Sequence, residues 1–243
     1  MVTPDPPGQN HLLAALAADD FSRLLPHLEG IELTTGQTVA EFGFRQDYVF
    51  FPTSSLIALL WRMEDGTHFQ TGLVGNEGLA GIGLCLGEFG IPGRAVVQSA
   101  GYGYRLASTV LKTELDRRGQ LQRLLLRFTQ TLLMQMAQSA ICREHHSTEQ
   151  QLCRWLLLCL DGLPSHQLSL RQDSIADMPA WRRAGMTDAA NQLQASQALQ
   201  YRGGKITLDR PKLELRVCDC YQTGKGEFDG LLPRKQMTAP QTA

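Results

Sequence analysis

Two adjacent arginines, Arg182 and Arg183, open an amphipathic run that continues Met186-Thr187-x-Ala189-x-x-Gln192-Leu193. A guanidinium can donate two parallel hydrogen bonds to guanine O6 and N7, a contact worth about 1–3 kcal/mol against a wrong base. Just upstream lies Gln172-x-x-Ile175-Ala176-x-Met178, then a turn. Downstream, Leu199–Tyr201 and Lys205–Leu208 flank Gly203-Gly204 and read as a two-stranded hairpin. Helix, turn, helix and hairpin make a winged helix-turn-helix, in which the second helix enters the major groove and the first braces it on the backbone. Ile175, Ala176, Met186, Ala189, Ala190 and Leu193 supply its packed face, leaving Arg182, Arg183, Thr187 and Asp188 exposed at the start of the reading helix.

Other chemistries find less support. There are no paired carboxylates or Ser/His/Asp arrangement on a credible scaffold, so no catalytic residue is expected. The six cysteines (Cys85, Cys142, Cys153, Cys159, Cys218, Cys220) show neither Cys-x-x-Cys pairs nor zinc-ribbon spacing. They read as scattered reduced thiols of a cytoplasmic protein. Glu144-His145-His146 with Cys142 and Glu149 reads as solvated residues at a helix junction rather than a metal site. Cys218 and Cys220, two apart on an expected helix, would not share a face. No metal and no cofactor are therefore expected. An iron–sulfur sensor would need cysteines near the N-terminus, and none precedes Cys85. Gly78-x-x-Gly81-x-Gly83 lacks the strand–helix setting of a nucleotide loop.

The 243 residues carry a formal net charge of −1, but unevenly. Residues 1–110 sum to −6, 111–164 to +2 and 165–243 to +3. An acidic N-terminal part thus precedes a mildly basic reader, the sign that suits phosphate. No apolar run is long enough for a membrane span, and no secretory signal opens the chain.

Three textures position these residues. From Leu24 to Leu106 short apolar runs (Gln37–Phe42, Tyr48–Pro52, Leu56–Met63, Phe69–Val74, Arg94–Gln98, Tyr102–Leu106) alternate with Gly-containing turns. They predict an antiparallel β-roll, with Asp65-Gly66 closing a hairpin. Leu12–Leu28 reads as one or two short helices broken at Pro26. From Ser108 to Ile141 one continuous helix, about 50 Å long, is expected. Its stripe is Leu121, Leu125, Phe128, Leu132 and Met136, and the expectation is a two-stranded coiled coil with a second copy; the alternative is a core helix packed on its own β-domain. Ser147-Thr148-Glu149-Gln150 forms a capping box opening a helix through Leu160, and a final helix is expected over Pro211–Leu232. The α+β chain is thereby divided into a helical segment (1–23), a sensor roll (24–107), a dimerisation helix (108–146), a winged helix-turn-helix domain (147–232) and a disordered tail (233–243).

Arg171 to Leu208 resembles the DNA-binding domain of the Crp/Fnr superfamily of bacterial transcription regulators, and the stretch from His146 resembles the helix that opens it. The order of roll, long helix and winged helix-turn-helix is similar over about 24–232. Cys218-Asp219-Cys220-Tyr221 with Glu227-Phe228 is similar to the tail of one proteobacterial branch. The resemblance implies that Arg183 reads guanine and Arg182 holds a neighbouring phosphate or base. Thr187, Gln192 and Gln172 would contribute further DNA contacts, and Arg202 and Lys205 phosphate contacts from the wing. The partners implied are double-stranded DNA, a second copy, RNA polymerase and an unidentified small-molecule effector.

The chain also departs from the pattern. Pro179-Ala180 replaces the usual Leu-Gly of the turn, Gln197 replaces a glycine before the wing, and Ile206–Asp209 is one residue short. Asp188 stands where many members carry a charged base reader, and an acid there repels phosphate. A decayed reader, serving as a ligand-binding or interaction module, is the alternative. In nucleotide-responsive members a glutamate holds the ribose and an arginine the cyclic phosphate. Here Gly81, before Gly83, occupies the glutamate position, and Arg94 stands one place from the arginine position with no hydroxyl after it. Control by a cyclic nucleotide through those contacts is therefore not expected. His68 is no more than a nominal haem ligand.

Overall fold

The structure is a computed structural model that describes residues 5–41, 46–83, 93–164, 183–202 and 205–231. Two short helices, α1 (His11–Ala14) and α2 (Ala18–Leu24), precede the roll, and Pro26 ends the second in a 3₁₀ turn at Leu25–His27. Buried Asn10 caps α1 by accepting from Leu13 N–H (3.2 Å). Its amide donates to the Pro52 and Gly78 carbonyls (2.9 and 2.8 Å), stapling this segment to the roll.

The roll has seven described strands: β1 (Glu29–Leu33), β2 (Thr38–Glu41), β3 (Tyr48–Pro52), β4 (Leu56–Arg62), β5 (His68–Val74), β6 (Arg94–Ser99) and β7 (Gly101–Ala107). They form antiparallel sheets of order β1-β7-β3 and β2-β6-β4-β5. At the expected β4–β5 hairpin, Gly66 takes φ +82°, a value open to glycine at no steric cost, and Asp65 accepts from Thr67 N–H at 2.9 Å. The strand β1 escapes sequence reading because only Leu33 of its five residues is buried; it is an edge strand paired to β7 alone. Ile57, Val74, Ala95 and Val97 of one sheet face Leu33, Val49, Phe51 and Leu106 of the other in a common core.

The single long helix does not form. Instead α3 (Ser108–Asp116) and α4 (Gln120–His145) meet at a break. Arg118 adopts the left-handed conformation (φ +53°), its N–H donating to the Leu115 carbonyl, and Gly119 follows as N-cap. The break lets α4 turn back across the roll. Gln120 pins its start by accepting from Ala17 N–H (2.6 Å) and donating to the Ala15 carbonyl (3.0 Å).

The expected dimer stripe is corrected by the same geometry. Leu121, Leu125, Phe128 and Leu132 are buried inside their own chain, in the roll core. A Cβ on Gly78 would stand 2.2 Å from the Phe128 ring, so that ring lies directly on the 75–80 turn. Met136, half-buried, points at Gly72 of β5. The stripe packs into the roll core together with Leu12, Leu13 and Leu24 of the N-terminal helical segment and Leu111 of α3.

Beyond α4, the capping box forms as expected and opens α5 (Thr148–Asp161). Then come α6 (Arg183–Ala195), the hairpin β8 (Leu199–Arg202) with β9 (Lys205–Leu208), α7 (Arg210–Glu214) and α8 (Cys220–Leu231). The expected final helix is thus two, separated by the turn over 215–219. Their second core joins Leu152, Leu156, Met186, Leu193, Leu199 and Tyr221, and it includes Leu56 and Leu73 from the roll. Trp155 Nε1 donates to Gln70 Oε1 (3.2 Å) and Asn76 N–H to the Gly162 carbonyl (2.9 Å), so the C-terminal domain is docked on the roll.

Candidate nucleic-acid interface and effector site

The candidate reading helix is α6. Its inward face is Met186, Ala189, Ala190 and Leu193, all buried, at the 3.6-residue spacing the sequence implies. Thr187, Asp188 and Gln192 are exposed on the opposite side. Arg183 is the first residue of α6, although its side chain lies outside what the structure describes. Gln172, Arg182 and the whole first helix of the motif, with Pro179 and Ala180, also lie outside the described residues. The buried face presses onto α5, and that contact orients α6.

After α6 the chain turns sharply. Gln197 adopts φ +58°, and Ala198 N–H reaches back to the Leu193 carbonyl at 2.9 Å. The position therefore does require a left-handed backbone, and a non-glycine there costs about 1–2 kcal/mol. The wing is four residue pairs long, closing at Arg202↔Lys205 across the tip. Both basic residues thus flank the turn, their side chains outside the description.

A polar lock holds this domain together. Arg210 donates to Asp161 (2.6 Å) and to Tyr221 Oη (2.7 Å), and the Tyr221 hydroxyl donates to Asp161 Oδ2 (2.7 Å). Burial, then the Asp161 carboxylate, pushes the Tyr221 hydroxyl well above its ordinary pKa and keeps it a donor. The lock joins α5, α7 and α8. Sequence reading missed it because its members are 11 to 60 residues apart.

In the roll, Ala80 bridges Phe50 of β3, and Gly81 takes φ +103°. A Cβ there would meet Gln46 Nε2 at 2.2 Å and Val49 Cγ1 at 3.1 Å. Arg94 opens β6 in the other sheet, opposite Glu41 and Leu60, and its buried Nε has no hydrogen-bond partner. His68 is held below its ordinary pKa, first by burial and then by the charges of Arg94 and Arg62. Gly81 thus follows a bridge to β3 of one sheet, whereas Arg94 opens a strand of the other. Residues 84–92, between them, lie outside the description.

The outward face of α4 carries a second apolar series. Leu126, Leu133 and Ile141 are exposed, with Ala137 and Ala140 beside them. Leu126, Leu133 and Ala140 repeat every seven residues, the spacing of a coiled-coil seam. On the inner side of α4, Gln135 accepts from Leu73 N–H (2.8 Å) and donates to its carbonyl (3.4 Å), covering the edge strand β5.

No protein-family model and no curated relative matches the sequence. Solved structures do match. FixK2 from Bradyrhizobium japonicum is 14% identical with a TM-score of 0.63, over 79% of this chain and 98% of that one. A transcriptional regulator of the Crp/Fnr family from Eubacterium rectale is 11% identical with a TM-score of 0.63, over 87% and 97%. The c-di-GMP-responsive global regulator CLP from Xanthomonas campestris is 16% identical with a TM-score of 0.57, over 79% and 99%. The chain has the fold of the Crp/Fnr transcription regulators, a β-roll joined by a helix to a helical, winged C-terminal domain. Among the described residues, no helix is long and apolar enough to cross a membrane.

Proposed function

We propose that this protein is a homodimeric, sequence-specific DNA-binding transcription regulator. The observation that carries the reading is α6. It is a helix packed by one face onto α5, with Thr187, Asp188 and Gln192 exposed on the other, Arg183 at its start and a basic-tipped wing behind it. On that reading Arg183 donates to a guanine, Arg182 and the wing residues Arg202 and Lys205 hold phosphates, and two-fold symmetry sets two reading helices about 34 Å apart. The seam is Leu126–Leu133–Ala140 on the outer face of α4, not the stripe that its own roll consumes.

The idea of a decayed reader loses one of its motives, since Gln197 takes up the left-handed conformation that glycine usually supplies. Cyclic-nucleotide control through a glutamate at the Gly81 position is disfavoured, because residue 81 is a glycine with no side chain to hold a ribose, at a φ of +103° that a glutamate would adopt only under strain. An effector of another kind would act by preferring the DNA-competent arrangement. The α4–β5 contact through Gln135 is where the roll could bias the helix. Footprinting on genomic fragments with the wild-type chain and Arg183→Ala tests the reading. Protection of discrete two-fold-symmetric sites, lost or made unselective in the variant, is expected. Absence of sequence-selective protection on any fragment would refute it.

A further inference from the structure

Four side chains that the sequence scatters converge where α4 ends and α8 begins. Cys142 and His146 lie one turn apart at the C-terminus of α4, while Cys218 and Cys220 bracket the turn that starts α8. Cys218 precedes the helix, so the two thiols are not on a common helical surface and can point to one spot. All four ligand atoms lie within 4.8 Å of one another. Cys142 Sγ is 3.5 Å from Cys218 Sγ, and Cys220 Sγ is 3.5 Å from His146 Nδ1. The three cysteines are buried.

These distances select one kind of occupant. A disulfide needs about 2.05 Å between sulfurs. A tetrahedral zinc ion with Zn–S of about 2.3 Å and Zn–N of about 2.0–2.1 Å has ligand–ligand edges of roughly 3.5–3.8 Å. Iron–sulfur clusters spread their four protein ligands over two or more iron atoms and so need the set further apart than a single ion does. Three thiolates and one imidazole form a closed structural set with the softness zinc prefers.

Two neighbours independently fit a bound ion. Arg154 of α5 is 7% exposed; one of its Nη atoms donates to Ser139 and its Nε has no hydrogen-bond partner, and burial works against its charge while the groups of Cys142, Cys220 and Cys218 favour it. Facing neutral thiols it is a buried charge with no ion-pair partner among the described residues. Facing Zn²⁺ with three thiolates, a site of net charge −1, it is paired. On the other side, Asp219 Oδ1 lies 3.4 Å from His146 Nε2. That is the carboxylate–histidine–metal relay that orients an Nδ1 ligand.

We infer that Cys142, His146, Cys218 and Cys220 form a structural zinc site that clamps the end of α4 to the start of α8. Binding replaces three S–H protons by the ion and releases them to solvent; nothing is oxidised. The clamp fixes the C-terminal domain to the helix that crosses the roll, whether or not that domain reads DNA.

The test uses the full-length chain purified under reducing conditions without chelator. One zinc per chain by elemental analysis is expected. Cys142→Ser or Cys218→Ser should lower it at least fivefold, and Cys153→Ser, in the neighbouring core, should not. The chelated wild-type chain titrated with Co²⁺ should show a thiolate-to-cobalt charge-transfer band and the intense visible bands of a tetrahedral ion, a readout that needs no variant to fold. Asp219→Ala, at an exposed side chain, should weaken zinc affinity about 10–100-fold without changing saturating stoichiometry. A wild-type chain with neither zinc nor a tetrahedral cobalt spectrum overturns the inference. So does iron in place of zinc, or full zinc content in Cys218→Ser.

Discussion

The assignment of the dimer seam to the outer face of α4 can be tested by charge. Leu126 and Leu133 are 55% and 62% exposed in the single chain. Burying a leucine fully is worth about 1.5–3 kcal/mol. Covering the part still exposed therefore yields about 0.8–1.8 kcal/mol per side chain. A two-fold seam contains each leucine twice, so the four together contribute about 3–7 kcal/mol, or about 10²–10⁵ in dissociation constant. Leu126→Glu with Leu133→Glu removes this and places like charges across the seam. Sedimentation velocity at about 1–50 µM should show a wild-type dimer and a folded, monomeric double variant with unchanged far-ultraviolet circular dichroism. Leu215→Glu, at the most exposed large apolar side chain among the described residues, should remain dimeric. A double variant as dimeric as wild type, or a wild-type monomer at the highest concentration, would refute the reasoning. Phe128→Ala provides the contrast. It empties the roll core and should cost about 3–5 kcal/mol of folding stability rather than dissociate a folded dimer.

Gly78→Ala places a methyl 2.2 Å from the Phe128 ring, and overpacking of this kind costs about 1–3 kcal/mol. For a chain of this size calorimetry should show Tm lower by roughly 2–12 °C; an unchanged Tm would mean that α4 does not rest on this turn. Tyr221→Phe removes the hydroxyl shared by Arg210 and Asp161 and should destabilise the C-terminal domain by about 1–3 kcal/mol in urea unfolding. Arg210→Lys should not restore the full lock, because one ammonium cannot span Asp161, Glu214 and Tyr221 in a planar fork.

Much of the architecture is legible in local pattern. The strands at Tyr48–Pro52, Leu56–Arg62 and His68–Val74, the capping box at Ser147 and the hairpin at Asp65-Gly66 depend on periodicity and turn chemistry within a few residues. The face of α6 is of the same kind, since its buried positions follow helical spacing. Where local pattern is weak, as in β1 with its single buried side chain, the element passes unseen.

Local pattern sets the order of roll, helix and winged domain, and which face of each amphipathic element is apolar. It could not decide what those apolar faces meet. The stripe Leu121–Leu125–Phe128–Leu132 suits a second copy or its own roll equally well by periodicity. The break at Arg118, marked in the sequence only by the lone Gly119, turns α4 onto the roll and leaves Leu126 and Leu133 outside. Likewise Cys142 and Cys218, 76 residues apart, meet only because α4 and α8 cross. Local propensity acts over one or two turns of chain, whereas partners in a core and ligands around a site are chosen by the path of the backbone between them. That path is a property of the tertiary structure alone.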